Sequence, residues 1–323
     1  MNKIILTTAW LALAGSAVQA QENKAERDVN AASMQAKSAA DTTGKLWTKG
    51  GTFQLNMSQV SLTNWSAGGF SSVSGVGLFN GFANRKKDRH AWDNSVALAY
   101  GLLSQEKQDP VKTDDRIELN TKYGYELGKS WYLAALAQFK TQFTEGKNAE
   151  GGRISDFMAP GYLVLGLGMD YKPSDHFSAF ISPATAKITF VNDQVLADAG
   201  AFGVDPATYD TLGNKLTNGK NSLFEFGGYV KMMYTRELAK NINFLTRADF
   251  FSNYLKDPQN IVVNWETLFT FKVNSWFAAT LSTMLIYDDK TQIMKKWENT
   301  ELLYAGKGTQ FKEAIGLGIT IKL

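Results

Sequence analysis

There is no cysteine among the 323 residues. A disulfide framework is thereby excluded, and with it any metal site built on thiolates. Histidine is almost absent too: His90 and His176 are the two present, so imidazole acid–base chemistry has only those positions to use. Charge of one sign is also missing. Lysine and arginine number 34 against 31 acidic residues, and loss of Lys3 with a cleaved leader leaves 33 against 31. A nucleic-acid binder would carry a concentrated basic stripe. Long apolar runs are lacking as well. Past the leader nothing approaches the roughly 20 residues of a transmembrane helix, and mean hydropathy is −0.23. A barrel whose lipid-facing and lumen-facing residues alternate has such an average.

What is present begins with an export signal. Lys3 precedes the short apolar stretch Ile4 to Ala14, and Val18-Gln19-Ala20 stands before Gln21. This pattern reads as a signal peptide over residues 1–20, too short to anchor in a bilayer. Without a following cysteine, a lipoprotein anchor is excluded. Residues 21–46 are polar and rich in Ala, Lys, Asp and Ser, a flexible tail expected in the periplasm. At Trp47 the composition changes, and 47–323 is expected to be a single outer-membrane β-barrel domain.

The fold class follows from period-two alternation. Near the C-terminus, Phe311, Ile315, Leu317, Ile319, Ile321 and Leu323 alternate with Lys312, Ala314, Gly316, Gly318, Thr320 and Lys322. Leu163, Leu165, Leu167, Met169 and Tyr171 likewise alternate with Val164, Gly166, Gly168 and Asp170. Such patterns, longer than the usual 5–6-residue soluble strand, put one face in oil and the other in a small or polar space. Twelve segments qualify, at about 51–62, 70–84, 89–103, 114–127, 130–144, 160–172, 176–191, 222–238, 241–255, 260–273, 275–288 and 309–323. The expectation is an all-β, antiparallel transmembrane β-barrel of about 12 strands. Pro183 interrupts one segment, which predicts a bulge or an early strand end.

Connections alternate in length. Short turns follow 84, 127, 172, 238 and 273, whereas 104–113, 144–159, 192–221 and 288–308 are long links, with a shorter one at 255–260. Short periplasmic turns and long external loops are the barrel pattern. Aromatics follow the short turns (Trp92, Trp131, Phe177, Trp276), as an interfacial girdle requires.

On the predicted lumenal face stand Arg116, Glu118, Lys122, Glu126, Lys140, Asp170, Glu225, Lys231, Arg247, Asp249, Glu266 and Lys272, with Glu237 beside them. The signs nearly balance, whereas an ion-selective pore would show a ring of one sign. Cross-lumen pairing is the expected arrangement. The histidines map beside short turns and lack an obvious hydroxyl partner, Ser95 and Ser178 being near only in sequence. No catalytic residue is therefore assigned. The loop acids Asp193, Asp198, Asp205, Asp210, Asp288 and Asp289 lack calcium-loop spacing, and neither a metal nor a cofactor is expected.

The run Asn56-Met57-Ser58-Gln59-Val60-Ser61-Leu62-Thr63-Asn64-Trp65-Ser66-Ala67-Gly68-Gly69 resembles an uncharacterised family of outer-membrane barrel proteins from Bacteroidota. The resemblance extends over most of the mature chain. It implies an outer-membrane location and carries no established activity. Within the run, Thr63, Asn64, Trp65, Gly68 and Gly69 read as the first external hairpin, its glycines permitting positive φ. The C-terminal Gly318 to Leu323 is similar to the assembly signal of such barrels but ends in leucine rather than an aromatic. The expected partners are outer-membrane lipid, the barrel-assembly machinery, and a small solute or an envelope protein, with no nucleic acid. Two functional expectations follow: a small-solute pore, transport or envelope-assembly component, or a closed structural or adhesive barrel binding a partner through loops 192–221 and 288–308. An outer-leaflet hydrolase is a third and weaker expectation.

Overall fold

The computed structural model describes residues 46–61, 71–106, 108–147, 151–174, 176–274, 277–296, 303–319 and 321–322. The expected signal peptide, nearly all of the tail, and Thr63, Asn64, Trp65, Gly68 and Gly69 lie outside these residues, as does Trp276.

Among the described residues, twelve antiparallel strands form one sheet: β1 (Trp47–Val60), β2 (Ser72–Lys87), β3 (His90–Gln105), β4 (Val111–Gly128), β5 (Trp131–Thr141), β6 (Gly161–Ser174), β7 (Phe177–Phe190), β8 (Ser222–Ala239), β9 (Ile242–Asn253), β10 (Ile261–Lys272), β11 (Phe277–Lys296) and β12 (Leu303–Ile319, resuming at Ile321–Lys322). Each pairs with its sequence neighbours. The sheet closes on itself where β12 meets β1, with Thr52 opposite Lys322 and Phe53 opposite Ile321. Closure removes the unpaired edges that an open sheet would expose.

The alternation places side chains as the sequence implies. On β4, Leu119 and Tyr123 are exposed outward while Glu118, the residue before Leu119, is 1% exposed. Similarly, Leu165 and Leu167 face out on β6, and Asp170 faces in at 1%. Large apolar side chains are thus outside and carboxylates inside, the reverse of a water-soluble protein.

Pro183 marks a bulge, not a strand end. Gly227 opposes Thr185 and Tyr229 opposes Ser182, so β7 spends one extra residue at Pro183–Ala184 and runs on to Phe190. The same offset separates the pairs Leu167–Ala184 and Met169–Ile181 on the other side. A side chain at Gly168 would collide with the Ile181 carbonyl oxygen, so only glycine fits beside the bulge.

One loop differs from expectation. The 288–308 link is mostly strand: β11 continues to Lys296 and β12 starts at Leu303, with an irregular register between Tyr287 and Gln292. The stretch Asp288-Asp289-Lys290-Thr291-Gln292 carries no apolar–polar alternation, so the sequence does not advertise a strand there.

The two ends of the barrel are unlike. At one end lie the tight turns, where Asp88, Ser130 and Asn241 adopt positive φ. Around this end the outward rings of Trp47 and Trp92 lie 5.7 Å apart, and those of Trp131 and Tyr171 4.4 Å apart. At the other end the long links fold into a platform. Gly146–Lys147 pairs with Arg153–Ser155, and Thr208–Tyr209 with Lys215–Thr217. A short helix α1 (Gln194–Asp198) is capped by Asp193, whose carboxylate accepts the Leu196 N–H at 2.9 Å. Its Leu196 and Ala197 are buried in one cluster with Ala159, Val191 and Val204. The turn at Ala201–Gly203 reaches β11, four strands around the barrel from β7.

Candidate functional site

The lumen gathers most of the charged residues read from the sequence. Glu118 receives hydrogen bonds from Gln138 Nε2 at 2.9 Å and Asn120 Nδ2 at 3.1 Å, with Lys140 Nζ at 3.4 Å. Lys122 Nζ is 2.9 Å from Asp170, which also pairs with Lys172. Arg247 donates to Glu266 at 3.1 Å and approaches Asp249 at 3.9 Å. Asp249 in turn accepts the Tyr229 hydroxyl at 2.9 Å and lies 4.0 Å from Lys231. Glu225 is 3.1 Å from Lys187. Arg116 is half-buried on the same inward face of β4.

Two of the expected residues sit at the rim. Glu126 accepts from the Tyr132 hydroxyl at 3.4 Å and faces Lys86 at 3.6 Å. Lys272 is exposed as the last residue of β10, outside the lumen, because the strand ends there in a turn. Glu237 is likewise at the turn end, where it accepts the Asn241 N–H at 3.1 Å.

Sequence reasoning missed Lys172, Lys187 and Asp93 as lumenal partners, Lys172 lying 3.5 Å from Asp93. Strict extension of the alternation along β3, β6 and β7, counted through the Pro183 bulge, would have found them. It also missed an apolar cluster inside the barrel. Ala134, Leu136, Phe180, Tyr229 and Phe251 bury one another, with Val262 packed against them. Each is an apolar residue at an inward position, which blurs the alternation instead of announcing itself. Between this cluster and Lys122, Lys231 and Asp170 the waist retains a cavity of only about 70 Å³.

Burying two ions costs several kcal/mol each unless geometry and extra hydrogen bonds compensate. Three of the lumenal carboxylates gain such extra bonds: Glu118 from Gln138 and Asn120, Asp249 from Tyr229, and Glu225 from Asn253 at 3.4 Å.

The platform uses the same chemistry in water. Asp198 is held by Lys215, by the Gly219 N–H at 2.8 Å and by Gln194 at 2.8 Å. These donors, Lys215 foremost, pull its carboxyl down to about 2. The Leu196 N–H and then Arg153 hold Asp193 below the usual carboxylate range, and Asp193 raises Arg153 in return. Arg153 also meets Glu145 and Asp156, joining the 142–160 segment to 191–221. Of the remaining loop acids, Asp205 pairs with Lys220, Asp210 binds its own turn, and Asp289 meets Lys307 and Asn260.

Among the described residues neither imidazole is hydrogen-bonded to a serine, Ser174 Oγ accepting only the His176 backbone N–H at 3.3 Å. His90 Nδ1 lies 2.6 Å from the Tyr123 hydroxyl and His176 Nδ1 3.0 Å from the Thr235 carbonyl, both exposed at the tight-turn end. Ser178 instead lines the waist cavity, together with Ser95.

Comparison with known proteins adds a family match over residues 57–146, to a group described as protein of unknown function (DUF3078). The matched stretch includes most of the Asn56–Gly69 run. No curated protein matches the chain. Among solved structures, the translocator domain of the autotransporter NalP from Neisseria meningitidis is 11% identical, covering 93% of this chain and 97% of that one at a TM-score of 0.36. An outer membrane channel from Pseudomonas putida F1 is 10% identical, covering 88% and 98% at 0.39. The NanC porin is 6% identical, covering 85% and 100% at 0.36. Likeness at this level carries no argument about activity. The class of protein is defined by the chain's own closed, inside-out sheet, the form in which strands cross a membrane with every backbone group paired. It is an outer-membrane-type β-barrel.

Proposed function

We propose that this is a closed outer-membrane barrel that acts through its folded loop end, presenting the platform built from 142–160 and 191–221 to an envelope or extracellular partner. The observation that carries the reading is the filled waist. Glu118, Asp170 and Glu225 are each 1% exposed against lysines, and Phe180, Tyr229 and Phe251 pack across the same level. A solute pathway would need those groups to part. On the platform, by contrast, Val195, Leu212 and Leu216 are 74%, 86% and 65% exposed. Large apolar side chains left this exposed on an otherwise folded platform are what a partner would cover. The tight turns are assigned to the periplasm and the platform to the outside, following the usual division of short and long connections. No catalytic step is assigned to any residue.

Two measurements test the reading. Heat-modifiable, folded protein in planar bilayers is expected to give no steady open-channel current. Long-lived conductance steps would instead establish the solute-pore alternative. Protease added to intact cells is expected to cut within 191–221 and to spare 127–130. Cleavage only at the tight turns would reverse the orientation.

A further inference from the structure

The outer wall carries a depression among its convex strands. The register of β1 to β6 aligns outward residues in transverse rows. One row runs Gly51, Gly81, Val96, Leu119, Phe139 and Leu163. The adjacent row, nearer the tight turns, runs Lys49, Ala83, Asn94, Thr121 and Ala137. Glycine and alanine leave the wall thin here, while Phe79, Leu119 and Phe139 stand around it. Gly81 itself is buried beneath the Phe79 ring and a Val96 methyl, each 3.3 Å from where a Cβ would be, and these two side chains form the wall of the depression there. The result is an open hollow of about 820 Å³ on the lipid-facing side.

Its chemistry changes along its length. Towards mid-barrel the lining is wholly apolar. Towards the tight turns it holds exposed Lys49, and one row further out Arg85 pairs on the sheet with both Trp47 and Trp92. A hydrogen-bonded chain crosses this end: Trp92 Nε1 donates to Thr121 Oγ1 at 2.8 Å, Thr121 to Asn94 Oδ1 at 2.7 Å, and Asn94 Nδ2 to the Ala83 carbonyl at 3.0 Å. Polar groups on an oil-facing wall are costly unless bonded in this way. None of the three rows nearest the tight turns on β1 to β4 contains a carboxylate, so the cationic end is uncompensated on its own face.

We infer that the hollow holds one anionic glycerophospholipid, with an acyl chain over Gly51 and against Phe79 and Val96, and the phosphate at Lys49 and Arg85. Charge and depth both select this occupant. Lys49 is two residues, about 7 Å along the strand, from Trp47, and tryptophan marks the headgroup level. A lysine at that depth reaches the interface on its butyl stem, where basic groups bind lipid headgroups. An acyl chain gains little hydrophobic free energy on leaving other lipid for a protein wall. Discrimination therefore comes from headgroup charge and from the shape of the hollow. The inference rests on the membrane-barrel reading and on the periplasmic assignment of the tight turns, which selects phospholipid over lipopolysaccharide.

Native mass spectrometry of the full chain, folded in detergent and offered phosphatidylglycerol, phosphatidylcholine or lipid A, tests it. Heat-modifiability confirms folding of each variant independently of lipid. The wild type is expected to retain one phosphatidylglycerol, with a preference of about fivefold over phosphatidylcholine. Lys49→Gln is expected to lower phosphatidylglycerol retention by about fivefold. Ala137→Leu, which fills the floor and alters no charge, is expected to cause a comparable loss, while Ala248→Leu on β9 leaves retention intact. Equal retention of the two phospholipids, or equal behaviour of the two leucine variants, would overturn the proposal. Preference for lipid A would overturn the phospholipid assignment. Dimers formed by the wild type without lipid and lost in Ala137→Leu would assign the hollow to a second copy instead.

Discussion

The lumen and the platform are built from the same pairs of ions, and they use them differently. Inside the barrel, Arg247 and Glu266 are both about 4% exposed and bonded at 3.1 Å. On the platform, Lys220 and Asp205 meet at 2.7 Å with side chains about 70% exposed. Distance alone would rank the second pair higher. Dielectric surroundings reverse the order: water screens the exposed pair to little net value, whereas removing one partner of a buried pair strands an ion. The lumenal pairs therefore set which packing of the barrel interior is tolerated, and the platform pairs trim local loop geometry.

The largest expected effect is at Arg247. Arg247→Ala is expected to cost about 3–5 kcal/mol by leaving Glu266 buried and uncompensated, read as a lower urea midpoint of the barrel refolded in vesicles. The double replacement Arg247→Met with Glu266→Leu should recover most of that loss, because neither charge then remains to be solvated. A double variant as unstable as the single one would show that the pair is not acting as a unit.

The acid response of the platform sharpens the contrast with a smaller effect. Asp198 has its folded value depressed to about 2, against about 3.9 for an unstructured aspartate. The stability it contributes is fully present above about pH 4 and is lost as pH falls towards 2. Pepsin cleavage within 191–221 should therefore rise between pH 4 and 2, while the barrel remains heat-modifiable throughout. In Asp198→Asn the cleavage rate should vary less across that window. An unchanged pH profile in the variant would remove Asp198 from the account.

Much of the architecture was legible before any coordinates. Strands such as β4 and β6 announce themselves because oil lies on one side and charge on the other. Pro183 marked the bulge, and the tight turns separated one end from the other. Legibility failed where that contrast fails. Asp288 to Gln292, where β11 runs on, carries no apolar–polar alternation, and the 191–221 segment is held by capping and by hydrogen bonds to Asp198 rather than by periodicity. For the candidate site, single charges such as Glu118 and Arg247 could be assigned to the inward face, but their partners could not. Pairing depends on register across strands, and Lys187 reaches Glu225 only because the Pro183 bulge adds a residue between β7's two halves. Phe180 and Phe251 were invisible as waist residues, since an inward aromatic looks in sequence like a lapse in the pattern.

The closing contact between β12 and β1 bears on how the barrel comes to exist. Every other strand pair joins elements adjacent in the chain, so the wall can grow hairpin by hairpin, each step fixing a short segment at small entropic cost. The meeting of Thr52 with Lys322 and Phe53 with Ile321 is the exception, a contact between residues some 270 positions apart in sequence. Closing it from a free chain would cost the entropy of the whole intervening loop, whereas hairpin-linked pairs that have already curved the sheet bring its two sides together. Among the described strands, the first and last form a seam, the one pairing of the wall that no connecting turn holds in place.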